Sequence, residues 1–164
     1  MQPTEDDWFD DTIQTYQSKL IAYATRILGD PDRSKDAVQD AFVKLYQSDR
    51  SKIQDHVAPW LYRVVRNLAL NIIRKDKRMI QFKTSEEIDD PNSSQQRETA
   101  ESLFEMVHDL QPPKDELIML KFKDGFSYKE IAAITGLSVS NVGYQLHHAI
   151  RELKQQWEVQ TTGN

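Results

Sequence analysis

Hydrophobic residues along the chain recur three or four positions apart, the spacing that places them on one face of an α-helix. In the first half of the chain this spacing predicts three helices, at Trp8–Leu28, Ser34–Gln47 and Trp60–Arg78. Ser34 is predicted to cap the second helix, and the polar stretch Ser48–Pro59 to connect it to the third. No strand-like alternation interrupts the pattern, so the sequence favours a small helical bundle.

The helical spacing fails between Met79 and Ser102, where the residues are polar, acidic and poor in apolar side chains. A break of this kind predicts a linker between two domains. The predicted fold is therefore all-α, with two small helical domains joined by a flexible acidic linker: residues 1–79, the linker 80–102, and residues 103–164. The linker is either an inert tether or an acidic strand-like peptide that occupies a basic channel in a partner.

Helical spacing returns in the second domain, and its C-terminal part has the features of a helix-turn-helix. Ser127, with Glu130 three residues further on, predicts a capping box at the start of a short helix. Gly136 supplies the sharp turn, and Ser138 caps a second helix. An ordinary helical hairpin is the alternative. The final residues, QTTGN, are expected to be disordered.

The exposed side of this second helix would enter the major groove of DNA. Asn and Gln side chains can pair with adenine edges, and Ser and His can donate or accept hydrogen bonds. The candidate DNA-reading residues are Ser138, Ser140, Asn141, Tyr144, Gln145, His147, His148 and Arg151. The two adjacent histidines do not predict a metal site, because neighbouring helix positions point about 100° apart and no third ligand is nearby.

Charge is distributed unevenly along the chain, whose formal net charge is −5. Seven Lys or Arg residues and one acid lie between Val57 and Lys83, in the most basic part of the sequence. The polar face of the predicted third helix carries cations and amides, with Trp60 and Tyr62 at its start. Such a face suits a phosphate backbone and unstacked bases. The alternative is a solvated surface helix with a basic end.

The second predicted helix has a different polar face, formed by Asp36, Gln39 and Asp40. Exposed acids on an amphipathic helix are usually just solvated. The more specific interpretation is a docking face for a basic partner.

Several classes of protein are excluded by composition. The chain has no cysteine, which excludes disulfides and thiol catalysis. It has no glycine-rich phosphate loop and no cluster of His with carboxylates, so neither an enzyme nor a cofactor site is expected. No apolar run approaches the roughly 18 residues that a membrane span needs, and the acidic N-terminus is unlike a signal peptide.

Taken together, these features resemble a bacterial RNA polymerase sigma factor of the extracytoplasmic-function (ECF) class of the sigma-70 family, over Phe9 to Trp157. SKDAVQDAFVKLY resembles region 2.1–2.2 of that family, WLYRVVRNLALNIIRKDKR resembles regions 2.3–2.4, and the helix-turn-helix resembles region 4. The resemblance implies an alternative sigma factor, without catalysis of its own, that binds core RNA polymerase and directs promoter-specific transcription initiation.

The resemblance also implies a role for each set of residues. Docking on the polymerase clamp would fall to Asp36, Gln39 and Asp40. Recognition and melting of the −10 element would fall to Trp60, Arg63, Arg66, Asn67, Asn71, Arg74, Lys75, Lys77 and Arg78. The loop Ser51–Val57 would capture a flipped-out base. The exposed residues of the second helix of the helix-turn-helix would read the −35 element, and region 4 would touch the polymerase flap.

The implied partners are core RNA polymerase, promoter DNA and an anti-sigma factor, in a cytoplasmic protein that an anti-sigma factor could hold at the membrane. One departure from the family pattern is that Gly143, Gln145 and His148 stand where Lys or Arg is usual, which weakens the electrostatic attraction of the second domain to DNA. The competing interpretation is a stand-alone helix-turn-helix transcriptional regulator. That would explain residues 112–157 but neither the basic helix nor the acidic face.

Overall fold

The computed structural model describes residues 4–82 and 99–163, with the backbone alone at residues 81, 82 and 99–101. Within this part of the chain every regular element is a helix, as predicted. The chain divides into two compact units, Met1–Glu86 and Glu87–Asn164. The prediction of an all-α protein with two helical domains is confirmed, whereas most of the predicted linker lies outside the described residues.

The first unit is a bundle of three long helices with one short helix between the second and third. Its elements are α1 (Glu5–Leu28), α2 (Pro31–Gln47), α3 (Arg50–Ile53), a 3-10 turn (Gln54–His56) and α4 (Val57–Phe82). Each long helix contributes an apolar stripe to a common core that is almost completely shielded from solvent. The buried residues at its centre are Leu20, Tyr23, Ala24, Val38, Ala41, Leu61, Val65 and Ala69.

The ends of α1 and α2 are set by side-chain caps. Thr4 and Asp7 form a capping box, so α1 begins earlier than the predicted Trp8. The N-cap of α2 is Asp30, whose carboxylate accepts hydrogen bonds from the backbone N–H groups of residues 32 and 33. The predicted cap at Ser34 is wrong: its side chain is buried within α2, and its hydroxyl donates 2.7 Å back to the Asp30 carbonyl.

The stretch between α2 and α4 is more ordered than its composition indicates. Asp49 caps α3 by accepting hydrogen bonds from both the backbone N–H and the hydroxyl of Ser51. Ile53 is buried and anchors the segment to the bundle. The predicted polar connection is therefore a helical segment, and the predicted loop Ser51–Val57 is mostly helical. Pro59 does lie in the first turn of α4, where its missing N–H costs nothing.

In the second unit, the described residues 99–163 form four helices. They are α5 (Thr99–His108), α6 (Lys114–Ile118) with a π-helical turn at Met119–Lys123, α7 (Tyr128–Thr135) and α8 (Val139–Thr162). An ion pair between Lys114 and Glu152 links α6 to α8. The core of this unit is formed by Leu117, Leu120, Ile131, Ile134, Val142, Leu146 and Ala149.

The C-terminal end of α8 differs from expectation. The QTTGN segment is helical as far as Thr162 instead of disordered. The hydroxyl of Thr162 donates to the carbonyl of Glu158 at 2.6 Å, and that of Thr161 donates to the carbonyl of Trp157 at 3.0 Å. These bonds satisfy part of the hydrogen-bonding capacity of the last turn. Across residues 4–82 and 99–163, no helix is both long and apolar enough to cross a bilayer.

Candidate nucleic-acid and protein interfaces

The face of α4 that points away from the bundle carries a stripe of cations and amides. Because its opposite side is fixed in the core by Leu61, Val65 and Ala69, the helix rotation is determined. Positions spaced by three, four and seven residues then align on the outside. This α4 stripe consists of Arg63, Asn67, Asn71, Arg74 and Arg78, all exposed. With a rise of 1.5 Å per residue it extends over about 22 Å of the helix.

The remaining predicted residues of α4 lie around this stripe. Lys75 and Lys77 are exposed, and Trp60 is half-buried at the N-terminal end of the stripe. Arg66 is turned well away from the stripe, is half-buried and already interacts within the fold. Within the stripe, Nη1 of Arg74 donates to Oδ1 of Asn71 at 3.2 Å. This bond orients one guanidinium and one amide toward the same outer surface.

The two aromatic residues at the start of α4 have different environments. Tyr62 is 1% exposed, and its ring lies 4.9 Å from that of Tyr23 in the core of the bundle. The expectation that it would stack on unpaired bases is therefore wrong, because Tyr62 lies three residues before Val65 and seven before Ala69, on the buried side of α4. Trp60 keeps part of its surface exposed, so of these two aromatic residues it is the one that can reach a base.

The acid in the basic part of α4 is neutralised by a residue of another helix. Arg33 of α2 donates two hydrogen bonds to the carboxylate of Asp76, at 2.6 and 3.0 Å. The side-chain hydrogen bonds from Arg33 lower the pKa of Asp76. This bidentate pair ties α2 to α4 and cancels a negative charge that would otherwise repel phosphate. Sequence reasoning did not find it, since 43 positions separate the two residues.

The candidate docking residues of α2 share one exposed surface. Asp36, Gln39 and Asp40 are all exposed, because the opposite side of the helix is buried in the bundle. Two large apolar residues continue this surface toward the C-terminal end of α2: Val43 is 54% exposed and Tyr46 is 69% exposed. A surface that combines acids with uncovered apolar side chains is suited to a protein partner that carries basic residues.

In the second unit, α7 and α8 form the predicted helix-turn-helix. The capping box of Ser127 and Glu130 begins α7. Gly136 ends α7 with a φ of +78°, in the left-handed region that glycine adopts without steric cost. Ser138 caps α8, its hydroxyl accepting from the backbone N–H of Asn141 at 3.1 Å. These predictions from the sequence are confirmed.

The candidate DNA-reading residues of α8 do not lie on one line. An α8 stripe, spaced by four, three and four residues, consists of Ser140, Tyr144, His147 and Arg151, all exposed. The ring of His148 lies beside this stripe, 4.3 Å from that of Tyr144. Asn141 and Gln145 are half-buried on one flank, with a weak 3.5 Å hydrogen bond between their amides. Ser138 is engaged in capping.

Tyr128, the first residue of α7, packs beside the glycine within α8. A Cβ atom at Gly143 would lie 3.4 Å from Cε2 of the Tyr128 ring. The ammonium of Lys121 lies 5.3 Å from the centre of the same ring. The aromatic ring therefore occupies the space beside Gly143 and joins the π-helical turn, α7 and α8. Sequence reasoning missed Tyr128 because it lies on the polar side of a capping turn.

A helix-turn-helix in one unit and a cationic helix face in the other define a DNA-binding protein with two separate interaction units. Comparison with known families gives the particular class. Sigma-70 region 2 matches residues 12–79, and Sigma-70, region 4 matches residues 100–153. The chain belongs to the sigma-70 family of RNA polymerase sigma factors, in the ECF class. It is thus an alternative sigma factor, a transcription initiation factor that directs transcription from promoters.

Three similar curated proteins share between 23% and 28% of their residues with this chain. The chain is 24% identical to the ECF RNA polymerase sigma factor SigW of Bacillus subtilis, over 93% of this chain and 90% of that protein. It is 28% identical to RNA polymerase sigma factor YlaC of the same organism, over 90% and 91% of the two chains. It is 23% identical to ECF RNA polymerase sigma factor SigE of Mycolicibacterium smegmatis, over 89% of this chain but only 60% of that relative.

Two solved structures share the fold. The sigma factor RpoE of Bartonella quintana, in complex with the anti-sigma factor NepR, has a TM-score of 0.70 and 23% identity, over 92% of this chain and 97% of that one. CnrH, in complex with the cytosolic domain of CnrY, has a TM-score of 0.59 and 19% identity, over 92% and 88% of the two chains. At these identities the similarity establishes the architecture of the chain and not its residue-level contacts.

Proposed function

We propose that three helices of this sigma factor have separate binding roles. Residues Asp36, Gln39 and Asp40 of α2 dock it on the clamp of core RNA polymerase. The α4 stripe, with Trp60, binds and holds open the −10 element. The helix-turn-helix reads the −35 element through α8 and contacts the polymerase flap.

The observation that carries this proposal is the α4 stripe. Its cations and amides are exposed along one line, and the one acid within the basic segment is paired with Arg33. A cationic face of this kind attracts the phosphate backbone, while a partly exposed aromatic ring at one end can replace the stacking that a base loses on melting. Arg66 is assigned a supporting position, because it is half-buried and turned from the stripe. Lys75 and Lys77 are assigned backbone contacts.

We propose that electrostatic attraction contributes little to the contact of α8 with the −35 element. Among the residues of the α8 stripe and its flank, Arg151 is the only one that carries a permanent positive charge. Recognition would therefore depend on hydrogen bonds from Ser140, Asn141, Gln145 and the two histidines to base edges, which are weakened little by salt. Attachment to polymerase would supply the affinity that this unit lacks.

Regulation by an anti-sigma factor is also part of the proposal. The two solved structures described above are complexes, one with an anti-sigma factor and one with the cytosolic domain of a partner. A partner that covers the α2 surface or the α4 stripe would keep this sigma factor from polymerase or promoter. The proposed site of action is the cytoplasm, where polymerase and promoter meet.

The first experiment is transcription with purified bacterial core polymerase on a library of promoter fragments. We expect transcripts whose start sites share upstream elements spaced as −10 and −35 sequences. Neutralising the docking residues as D36N/D40N should abolish these starts without changing the fold, measured by circular dichroism. If the protein selects a DNA site alone and never starts transcription with polymerase, the chain acts as a stand-alone regulator and the proposal is wrong.

The role of Trp60 can be tested separately from promoter binding. Trp60→Ala should reduce open-complex formation more than closed-complex formation, because the ring is proposed to act only on unstacked bases. Permanganate reactivity of unpaired thymines measures opening, and a gel-shift assay at low temperature measures the closed complex. The matched control is Lys77→Ala, which removes a backbone contact and should weaken both steps alike. An equal loss of both steps in Trp60→Ala would contradict this role.

A further inference from the structure

A cavity of about 230 Å³ lies where the first turn of α1, the last turn of α2 and the start of α3 meet. We call it the α1–α2 pocket. Clefts that hold small-molecule ligands have volumes of roughly 300–1,000 Å³. The α1–α2 pocket is smaller than those and is open to solvent, so its size fits one long side chain of a partner better than a cofactor or a nucleotide.

The walls of the pocket are aromatic. The ring of Tyr46 meets that of Phe9 edge to face, with 5.3 Å between their centres. The guanidinium of Arg50 lies 5.0 Å from the centre of the Trp8 ring, and its Nε atom is buried with no acceptor within the described part of the chain. Trp8 is thus already covered by a cation from the protein itself. The ring of Tyr46, 69% exposed, remains available on the opposite wall.

The rim of the pocket is acidic. Glu5 and Asp6 line it with exposed carboxylates in the first turn of α1. The third acid of that turn, Asp7, is used by the capping box, and hydrogen bonds from the side chain and backbone of Thr4 lower its pKa. Arg50 also lines the pocket, so the lining residues Glu5, Asp6 and Arg50 together carry a formal charge of −1. Two exposed carboxylates beside an exposed aromatic ring repel phosphate and attract a positively charged group.

The pocket is continuous with the candidate docking surface of α2. Gln39, Val43 and Tyr46 follow one another at intervals of four and three residues, so they form one line along the helix. That line begins among the docking acids and ends in the wall of the pocket. A protein that docks on Asp36, Gln39 and Asp40 would therefore meet the pocket with the next part of its surface.

We propose that the α1–α2 pocket receives a Lys or Arg side chain of core RNA polymerase, held by the carboxylates of Glu5 and Asp6 and by the ring of Tyr46. This inference rests on the proposed docking of α2 on polymerase and adds a second point of attachment to it. A charged side chain between two carboxylates and an aromatic ring strengthens attachment and fixes its direction. The pocket thus adds specificity to a helix face that is otherwise a small polar patch.

The test measures the affinity of the full-length chain for purified core polymerase by biolayer interferometry. Two independent variants probe the pocket: the double variant E5Q/D6N removes its charge, and Tyr46→Ala removes its exposed ring. The matched control D10N/D11N removes the same charge from exposed positions of α1 that do not line the pocket. Tyr46→Phe, which keeps the ring, serves as the conservative variant. Circular dichroism and Tm confirm that each variant is folded.

We expect E5Q/D6N and Tyr46→Ala each to weaken polymerase binding about tenfold. The control and Tyr46→Phe should stay within about twofold of the unmodified chain, and the salt dependence of binding should decrease in E5Q/D6N alone. Equal weakening by E5Q/D6N and D10N/D11N would contradict the pocket inference, because it would show that binding depends on the overall charge of α1 and not on the pocket. Normal polymerase binding by the pocket variants, together with a loss of promoter opening, would also contradict it and would assign the pocket to DNA.

Failure of the pocket and failure of the proposed docking give different results. If D36N/D40N loses polymerase binding while both pocket variants bind normally, the pocket inference is wrong and the docking face stands. If the unmodified chain does not bind core polymerase, both are wrong.

Discussion

Two glycines of the helix-turn-helix differ in what their surroundings require. Gly136 has a φ of +78°, a backbone conformation that side chains with a Cβ rarely adopt. Gly143 has ordinary helical geometry, and a Cβ there would meet the Tyr128 ring at van der Waals distance. The first glycine is required by the backbone, whereas the second is only accommodated.

Alanine at these two positions should therefore act in opposite directions. Gly143→Ala should stabilise the second unit by up to ~1 kcal/mol, because alanine has the higher helix propensity and the ring leaves room for the methyl group. Gly136→Ala should destabilise it by about 1 kcal/mol or more, because the left-handed turn strains the new side chain. Urea unfolding followed by circular dichroism measures both, and a loss of stability in Gly143→Ala would show that Tyr128 cannot move.

Individual residues also show where sequence reasoning was wrong. Ser34 was predicted to be a cap because it is a good capping residue, but Asp30 and Asp32 are capping residues as well. Pro31 decides between them, since its fixed φ favours the first helical position and leaves the cap to Asp30. The sequence places Tyr62 on the DNA side because a tyrosine side chain suits a DNA-binding surface as well as a protein core. Only the packing of α4 on Tyr23 reveals which side it occupies.

At the scale of the elements, the bidentate pair of Arg33 and Asp76 fastens α2 to α4. Both side chains are more than 40% exposed, so solvent screens the attraction and the effect on stability is small. We expect a larger effect on DNA binding, because Arg33 neutralises the acid within the basic segment.

Arg33→Ala should therefore weaken open-complex formation, and adding Asp76→Asn should restore it. The single variant leaves an unpaired carboxylate beside the proposed phosphate contacts, while the double variant leaves none. Permanganate footprinting at constant ionic strength compares the two, with Asp76→Asn alone as the control. If the double variant is as defective as Arg33→Ala, the arginine acts through something other than the charge of Asp76.

The same pair predicts a small pH dependence of stability. Arg33 lowers the pKa of Asp76 below its ordinary value of 3.8, because its hydrogen bonds favour the ionised carboxylate. A carboxylate whose pKa is lowered on folding stabilises the protein fully at pH values above its ordinary pKa. This stabilisation is lost as the pH falls through the lowered pKa. The difference in Tm between the unmodified chain and Asp76→Asn should thus be present at neutral pH and vanish in strong acid. A difference that grows on acidification would contradict the assignment.

At the scale of the whole molecule, the two units have separate cores. The buried residues of α1, α2 and α4 form one cluster, and those of α6, α7 and α8 form another. Each cluster contains large, fully buried side chains, such as Tyr23 in the first unit and Leu117 in the second.

Fragments that end at the boundary should therefore fold alone. We expect residues 1–86 and 87–164, prepared separately, each to unfold cooperatively in urea with a midpoint close to that of the same unit in the full chain. The second unit can be followed by Trp157 fluorescence and the first by Trp8 and Trp60. A fragment that lacks a cooperative transition would show that its unit depends on the other.

The sequence predicted this architecture because apolar spacing is a local signal. Helices α1, α2 and α4, and the helix-turn-helix, were found where their apolar stripes repeat, and the break between them predicted two units. Helix α3 was missed because four residues are too few to show a period, and it is held by Asp49 and Ile53. The roles of the α2, α4 and α8 surface residues remain predictions, since exposure shows availability and not contact. The pairing of Arg33 with Asp76 could not be predicted because tertiary packing creates it.

The pair of Arg33 and Asp76 also constrains the order in which substitutions at these two positions can accumulate. Losing Arg33 first would leave an unpaired carboxylate in the basic part of α4, whereas losing Asp76 first would leave none. We therefore expect the two substitutions to be epistatic, with a path that first neutralises position 76 favoured over a path that first changes position 33. In a random-mutagenesis screen for transcription, survivors altered at position 33 should carry a change at position 76, while the reverse dependence should be absent.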